Sequence, residues 1–140
     1  MSFYEDRDFG EAYQHKLLEL IEFDEYSMAK GDFKPYDVKI VHAKETILFE
    51  VKADRKAAST KNLAIEFEYD GRPSGIQTTD AHYWAYFIVG TDKYYLIPTL
   101  EIRKAIEEKQ YKYIVRGGDG FKSQMYLIPM SLFENYVDDY

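Results

Sequence analysis

The chain contains no cysteine, only three histidines and no long apolar run. The absence of cysteine excludes disulfides and thiolate metal sites, and it is compatible with a reducing compartment. His15, His42 and His82 lack the close spacing of zinc ligands. No apolar stretch approaches the roughly 20 residues that a membrane helix needs. We therefore expect a cytoplasmic protein without a zinc site or a membrane span.

The composition that remains is that of a packed globular protein. The hydrophobic content is 46% and the aromatic content 17%, too high for a disordered chain. A length of 140 residues fits one domain and suffices to bury most of the unfolded surface. No linker, repeat or low-complexity segment divides the sequence. We therefore expect residues 1–140 to form a single domain.

The net negative charge of the chain argues against a nucleic-acid partner, but the acidic residues are unevenly distributed along the sequence. The net charge is −7, and residues 1–30 contain eight acidic and three basic residues. Residues 31–72 contain eight of each and are neutral. Bound divalent cations would also offset local carboxylates. The acidity therefore weakens, and does not exclude, a function on DNA.

Hydrophobic periodicity and turn residues predict a helix first and a sheet after it. An apolar stripe predicts a helix over 8–28, and three strand-like runs follow at 36–43, 46–53 and 62–69, whose short connections favour an antiparallel meander. The later elements are a helix start at 78–82, strands at 84–89 and 93–98, a helix at 100–109, a hairpin from 111–116 and 124–128, and a short helix at 131–136. This order is typical of an α+β fold.

Charged residues in two of these runs form the most informative motif. Side chains on a strand alternate, so Glu50 and Lys52 share one face while Phe49 and Val51 occupy the other. Asp37 lies 13 positions before Glu50, in the preceding strand. If the two carboxylates converge to within roughly 4–6 Å, they can share a Mg²⁺ or Mn²⁺ ion next to an ammonium group. Such a set suits phosphodiester hydrolysis. The simpler interpretation is an ordinary surface ion pair between Glu50 and Lys52.

With these residues in place, the order of elements over residues 10–90 resembles the PD-(D/E)XK nuclease superfamily. The spacing from Asp37 to Glu50 and the glutamate Glu11 in the leading helix resemble archaeal-type Holliday junction resolvases and phage-encoded relatives. The resemblance implies a restriction-endonuclease-like αβββαβ core with a mixed sheet flanked by helices. Beyond that core we expect a C-terminal hairpin and a short helix.

The resemblance also implies roles for individual residues. Asp37 and Glu50 match the metal-binding acids of the superfamily, and Lys52 matches its catalytic lysine. Glu11 matches the helix-one glutamate of the resolvase branch, which contributes to catalysis and metal binding. One departure is visible, because Tyr36 separates Pro35 from the aspartate that a proline often directly precedes.

The partner implied by this resemblance is DNA, and the implied cofactor is Mg²⁺ or Mn²⁺. Lys56, Lys61 and Arg72 flank the expected site and are candidates for contacts with DNA phosphates. We expect a metal-dependent endonuclease acting on branched or junction DNA, and a homodimer, because junction cleavage requires paired cuts. The alternative is a nuclease fold that has lost activity and serves as a binding or structural module. The net charge of −7 favours that alternative.

Overall fold

Two β-sheets form the body of the structure, a computed structural model that describes residues 3–31 and 34–140. The first sheet has, in spatial order, β1 (Glu25–Met28), β2 (Val38–His42), β3 (Glu45–Asp54), β6 (Tyr83–Ile88), β7 (Lys93–Pro98) and β10 (Val137–Asp139). The second has β5 (Arg72–Pro73), β4 (Asn62–Tyr69), β9 (Ser123–Pro129) and β8 (Tyr113–Gly117). Only β3 and β6 pair in parallel among the strands described.

Helices complete the layers on both sides of the first sheet. The α-helices are α1 (Phe3–Leu20), α2 (Ala57–Thr60) and α3 (Thr99–Glu107), and short 3₁₀ helices lie at Gly75–Gln77, Asp119–Phe121 and Met130–Tyr136. This is the α+β class that the sequence predicts, a mixed sheet flanked by helices. None of the helices in the described part of the chain is both long and apolar enough to cross a membrane.

The two faces of the first sheet belong to different apolar cores. On one face, Leu17 of α1 packs with Phe49 and Val51 of β3. On the opposite face, Trp84 and Tyr86 of β6 and Ile97 of β7 pack against the second sheet and α3, which contribute the buried residues Leu63, Ile65, Ile128 and Ile102. The alternation of side chains along β3 therefore directs Glu50 and Lys52 toward the second sheet and away from α1.

The predicted helix over 8–28 is wrong at both ends. Helix α1 begins earlier, at Phe3, and ends at Leu20, and Glu25–Met28 form the edge strand β1. Strand β1 pairs antiparallel with β2, and the Asp24 carboxylate accepts a hydrogen bond from the Ala43 N–H at 3.0 Å. Helix propensity is weak enough for such tertiary pairing to override it.

The predicted meander is correct for its first pair of strands and wrong for the third. Strands β2 and β3 form a hairpin whose turn residues, Ala43 and Lys44, both have positive φ, as a tight two-residue turn requires. The run at 62–69 is indeed a strand, but it leaves the first sheet. Helix α2 intervenes and ends at Thr60, and the next residue, Lys61, has a left-handed φ of 62° that turns the chain into the second sheet.

The helix predicted at 78–82 is also absent. A 3₁₀ helix lies just before it, at Gly75–Gln77, and the chain then enters β6 without further helical structure. The reason is long-range hydrogen bonding: the Asp80 N–H donates to Pro35 O at 2.8 Å, and the His82 N–H donates to Leu48 O at 2.8 Å. The short closing helix predicted at 131–136 is a 3₁₀ helix rather than an α-helix.

Candidate active site

The candidate site begins where strands β2 and β3 separate. Their ladder ends at the pair Val38 and Phe49, although the Asp37 N–H still donates to Phe49 O at 2.8 Å. Beyond that pair of residues, the Asp37 carboxylate replaces the backbone of β2 as the hydrogen-bond partner of β3. Its Oδ2 accepts a hydrogen bond of 2.8 Å from the Val51 N–H. The strand ending thus fixes the Asp37 side chain beside the middle of β3.

Glu50 is held in the same place by a residue from the chain before β6. Both acids are largely buried, with exposed fractions of 7% for Asp37 and 8% for Glu50. The Thr79 hydroxyl donates a hydrogen bond of 2.9 Å to Glu50 Oε1. Both carboxyl groups line the same cleft, where the negative charge of Asp37 acts on Glu50. Glu50 is therefore not part of an ordinary exposed ion pair with Lys52.

The proximity of these two acids changes the acidity of Glu50. Burial, and secondly the charge of Asp37, raise the pKa of Glu50 from its ordinary 4.5 to about 7. The nearby Lys52 ammonium and the Thr79 hydroxyl oppose that rise. Two crowded, buried carboxylates are an arrangement that a cation would stabilise.

Lysine side chains lie on both sides of the acid pair. Lys52 shares the β3 face with Glu50, and its Nζ lies 6.0 Å from the centre of the Trp84 ring. Lys34 Nζ lies 3.3 Å from Asp37 Oδ1. Lys34 is not among the residues that the sequence motif predicts. Its position three residues before Asp37 is the only signal that pointed to it.

The acids and lysines open into a cleft between the two sheets, with a volume of about 600 Å³. Its lining residues are Lys34, Asp37, Glu50, Lys52, Glu66, Tyr69, Pro73, Ser74, Gly75 and Thr78. The wall on the second sheet contributes Glu66, whose two carboxylate oxygens accept hydrogen bonds from Ser74 Oγ at 3.1 Å and Ser123 Oγ at 2.6 Å. The cleft therefore has one wall from each sheet.

The other residues named from the sequence lie elsewhere. Glu11 is exposed on α1, which packs on the opposite face of the first sheet, and it does not line the cleft. Lys56 and Lys61 are exposed at the two ends of α2, outside the cleft lining. Arg72 is exposed next to Pro73, at the cleft rim. The structure thus brings together Asp37, Glu50 and Lys52 but not Glu11.

The donor set suits a hard divalent cation. Mg²⁺ and Mn²⁺ prefer oxygen ligands, and Mg²⁺ is commonly held by one or two carboxylates, with waters and substrate phosphate completing its shell. Asp37 and Glu50 supply such a pair, and a bound cation would offset the burial and the repulsion that together raise the pKa of Glu50. Across residues 3–31 and 34–140, no group of three or more acidic or histidine side chains is arranged to hold a metal. The remaining ligands would have to come from solvent and substrate.

Comparison with solved structures gives a likeness of fold. No family model matches the chain, and no curated protein matches it. Among solved structures, it is similar to Hjc of Archaeoglobus fulgidus, described as a Holliday junction resolvase from an archaeal hyperthermophile. The TM-score is 0.51 at 14% sequence identity, over 91% of this chain and 88% of that one. At this identity the likeness concerns the fold, and the chain has a restriction-endonuclease-like fold.

Proposed function

We propose that this protein is a nuclease that hydrolyses phosphodiester bonds in DNA with the help of Mg²⁺ or Mn²⁺. The observation that carries the proposal is the position of two buried carboxylates, Asp37 and Glu50, in the lining of one cleft, together with the Lys52 ammonium. The resolvase-like fold supports the same activity.

In the proposed mechanism, Asp37 and Glu50 would hold the cation. A bound cation would neutralise charge on the phosphate and lower the pKa of water. The Val51 N–H and Lys34 keep the Asp37 carboxylate in place, and Thr79 does the same for Glu50. Lys52 stabilises the negative charge that develops on the attacking oxygen and the phosphate. Glu11 has no part in this ligand set.

We further propose that the substrate is junction or branched DNA, because the structural neighbour is described as a Holliday junction resolvase. Paired cuts by such an enzyme would require a homodimer. Tyr94 and Tyr95 are unsuited to such a dimer interface, because they are buried in the two cores. Tyr113, 63% exposed on the edge strand β8, remains accessible.

A binding or structural module without activity is the second candidate. The net charge of −7 favours it, because an acidic surface repels DNA. Against it stands the cleft itself, where Lys34 and Lys52 lie among the carboxylates and Arg72 lies at the rim. The module would need no paired buried acids, which are costly unless they bind something.

Cleavage assays test the proposal directly. Linear, nicked, flapped and four-way DNA would be incubated with wild type, Asp37→Asn and Glu50→Gln in Mg²⁺ or Mn²⁺. We expect wild type to cut at least one substrate and both variants to cut none. Glu107→Gln, which changes an exposed acid on α3, is the matched control and should cut like wild type. Equal cleavage by all four proteins would indicate a contaminant, and no cleavage by wild type would favour the module.

A further inference from the structure

Lys34 contributes the second ammonium group of the cleft, and it lies in the chain just before β2. Its Nζ is 3.3 Å from Asp37 Oδ1, and the side chains of Lys34 and Asp37 are 29% and 11% exposed. Lys34 lines the same cleft as Glu50 and Lys52. The ion pair of Lys34 with Asp37 is therefore part of the candidate site and not a solvated pair on the outer surface.

The two oxygens of the Asp37 carboxylate have partners of different kinds. Oδ2 accepts a buried hydrogen bond of 2.8 Å from the Val51 N–H, which belongs to the backbone of β3. Oδ1 contacts the Lys34 ammonium, which ends a flexible side chain. A backbone donor inside a strand stays in place, whereas an ammonium on such a side chain can exchange partners. Oδ1 is therefore the oxygen that a cation can take over without disturbing β3.

The main chain next to Lys34 is held at the cleft, although the lysine side chain itself is flexible. The carbonyl of the following residue, Pro35, accepts hydrogen bonds from the Asp80 N–H at 2.8 Å and from the Thr79 hydroxyl at 3.3 Å. Thr79 also donates to Glu50, so this anchor belongs to the candidate site. An ammonium that leaves Asp37 thus stays within a side-chain length of the acid pair.

A divalent cation on Asp37 conflicts with the position of the Lys34 ammonium. Both would lie next to the same carboxylate oxygen, and like charges at such short range repel strongly where water is partly excluded.

The charges of the cleft lining favour a phosphate as the new partner of the ammonium. When ionised, the lining has three carboxylates and two ammonium groups, a net charge of −1 that a divalent cation would change to +1. A DNA phosphate offsets that positive charge, and lysine commonly donates hydrogen bonds to phosphate oxygens.

We propose that Lys34 exchanges partners when the site is loaded. Its ammonium neutralises Asp37 in the metal-free protein, and it contacts a DNA phosphate once a divalent cation takes Asp37 Oδ1. The inference rests on the proposed nuclease function and assigns a substrate contact that the sequence motif does not predict. It gives the two lysines separate roles: Lys52 stabilises charge at the reacting phosphate, and Lys34 couples metal binding to DNA binding.

The first half of the test measures metal binding without DNA. Lys34→Met removes the ammonium, and Lys34→Arg keeps a positive charge. We expect Lys34→Met to bind Mn²⁺ at least about three-fold more tightly than wild type in calorimetry at about pH 8, because an ion pair no longer competes. Lys34→Arg and Lys104→Met, which changes an exposed lysine on α3, should bind as wild type does.

The sign of this effect separates exchange from a purely positioning role. A lysine that only holds Asp37 in place would give weaker Mn²⁺ binding in Lys34→Met, because Asp37 would lose a partner. Equal or weaker binding by folded Lys34→Met would therefore overturn the exchange and leave the nuclease proposal standing. A wild type that binds no Mn²⁺ would overturn both.

The second half measures binding of four-way DNA at saturating Ca²⁺, which fills the metal site in every variant. Each phosphate contact contributes about 0.9 to the slope of log affinity against log salt concentration on duplex DNA. We expect Lys34→Met to bind more weakly and to lose about one contact's share of that slope. Lys34→Arg and Lys104→Met should keep the wild-type slope. An unchanged slope in Lys34→Met would overturn the phosphate contact, and a wild type that binds no DNA would overturn the nuclease proposal as well.

Discussion

The Thr79 hydroxyl lies 2.9 Å from Glu50 Oε1, and it connects the segment 74–80 to the pair of acids Asp37 and Glu50. Thr79 is buried, with its backbone carbonyl bound by Arg103, so the hydroxyl has little freedom to move away. It is a positioning residue, because it acts on the candidate site through Glu50. Its hydrogen bond also lowers the pKa of Glu50, against the effects of burial and of Asp37.

Replacing Thr79 tests this relationship. Thr79→Val removes the donor at nearly constant volume, so the pKa of Glu50 should rise and less of the carboxylate should be ionised near neutral pH. We expect weaker Mn²⁺ binding at pH 7, measured by calorimetry, and recovery of most of the affinity at pH 9. Thr79→Ser keeps a hydroxyl and should bind as wild type does. A loss of affinity in Thr79→Val that is the same at both pH values would contradict this role.

The acidity of Glu50 predicts how stability depends on pH without divalent ions. The pKa of Glu50 is about 7 when folded and near the ordinary 4.5 when unfolded, so the folded state binds more protons between these values. Wild type should therefore lose stability as pH rises from about 4.5 to 7, by on the order of 3 kcal/mol. Glu50→Gln should lack this loss. Chemical denaturation in EDTA at several pH values measures it, and parallel curves for the two proteins would refute it.

Gly75 is expected to be essential to the conformation of the segment 74–80, which connects the two sheets. An alanine there would have a φ near +52° and a Cβ 2.0 Å from Glu66 O, a contact with rigid backbone. Gly71→Ala is the matched control, because Gly71 has a φ of +81° with open space around it. We expect Gly75→Ala to lower the free energy of unfolding by about 1–3 kcal/mol more than the control does, as overpacking does elsewhere. Equal destabilisation of Gly75→Ala and Gly71→Ala in thermal or chemical unfolding would mean that the segment 74–80 shifts away from Glu66 to relieve the contact.

The Tyr86 hydroxyl joins the two sheets through a buried hydrogen-bond network. It donates to the Asp54 carboxylate and accepts from the Ala64 N–H at 2.9 Å, and burial raises its pKa well above the ordinary value. Tyr86→Phe leaves the Ala64 N–H without this acceptor and should cost about 1–3 kcal/mol. Tyr113→Phe, at an exposed tyrosine, should cost little. Equal stability of the two variants would show that the network contributes nothing.

The sequence was sufficient for the acid pair because local rules determine it. Alternation along β3 places Glu50 and Lys52 on one face, and the hairpin turn at Ala43 and Lys44 sets the register that brings Asp37 beside them. The α+β class followed from the order of the elements for the same reason.

What the sequence did not reveal depends on contacts between distant segments. Strand β4 lies in the second sheet and pairs with β9, and no helix forms at 78–82 because Asp80 and His82 donate their N–H groups to Pro35 O and Leu48 O. The cleft wall with Glu66 and Tyr69 exists only because of these contacts. Glu11 was named by resemblance alone, and no local rule places its helix on the Glu50 side of the sheet.

The most direct test of the account is DNA cleavage by Lys52→Met. This change removes the ammonium next to Glu50 and keeps most of the length of the side chain, so charge stabilisation should be lost. Because Lys52 also lowers the pKa of Glu50, the two proteins are compared at about pH 9, where the Glu50 carboxylate is largely ionised in both. We expect single-turnover cleavage to fall by about 100-fold or more, while DNA binding in Ca²⁺ persists. Lys104→Met, at an exposed lysine on α3, should cleave as wild type does. Cleavage by purified Lys52→Met at the wild-type rate would contradict the account.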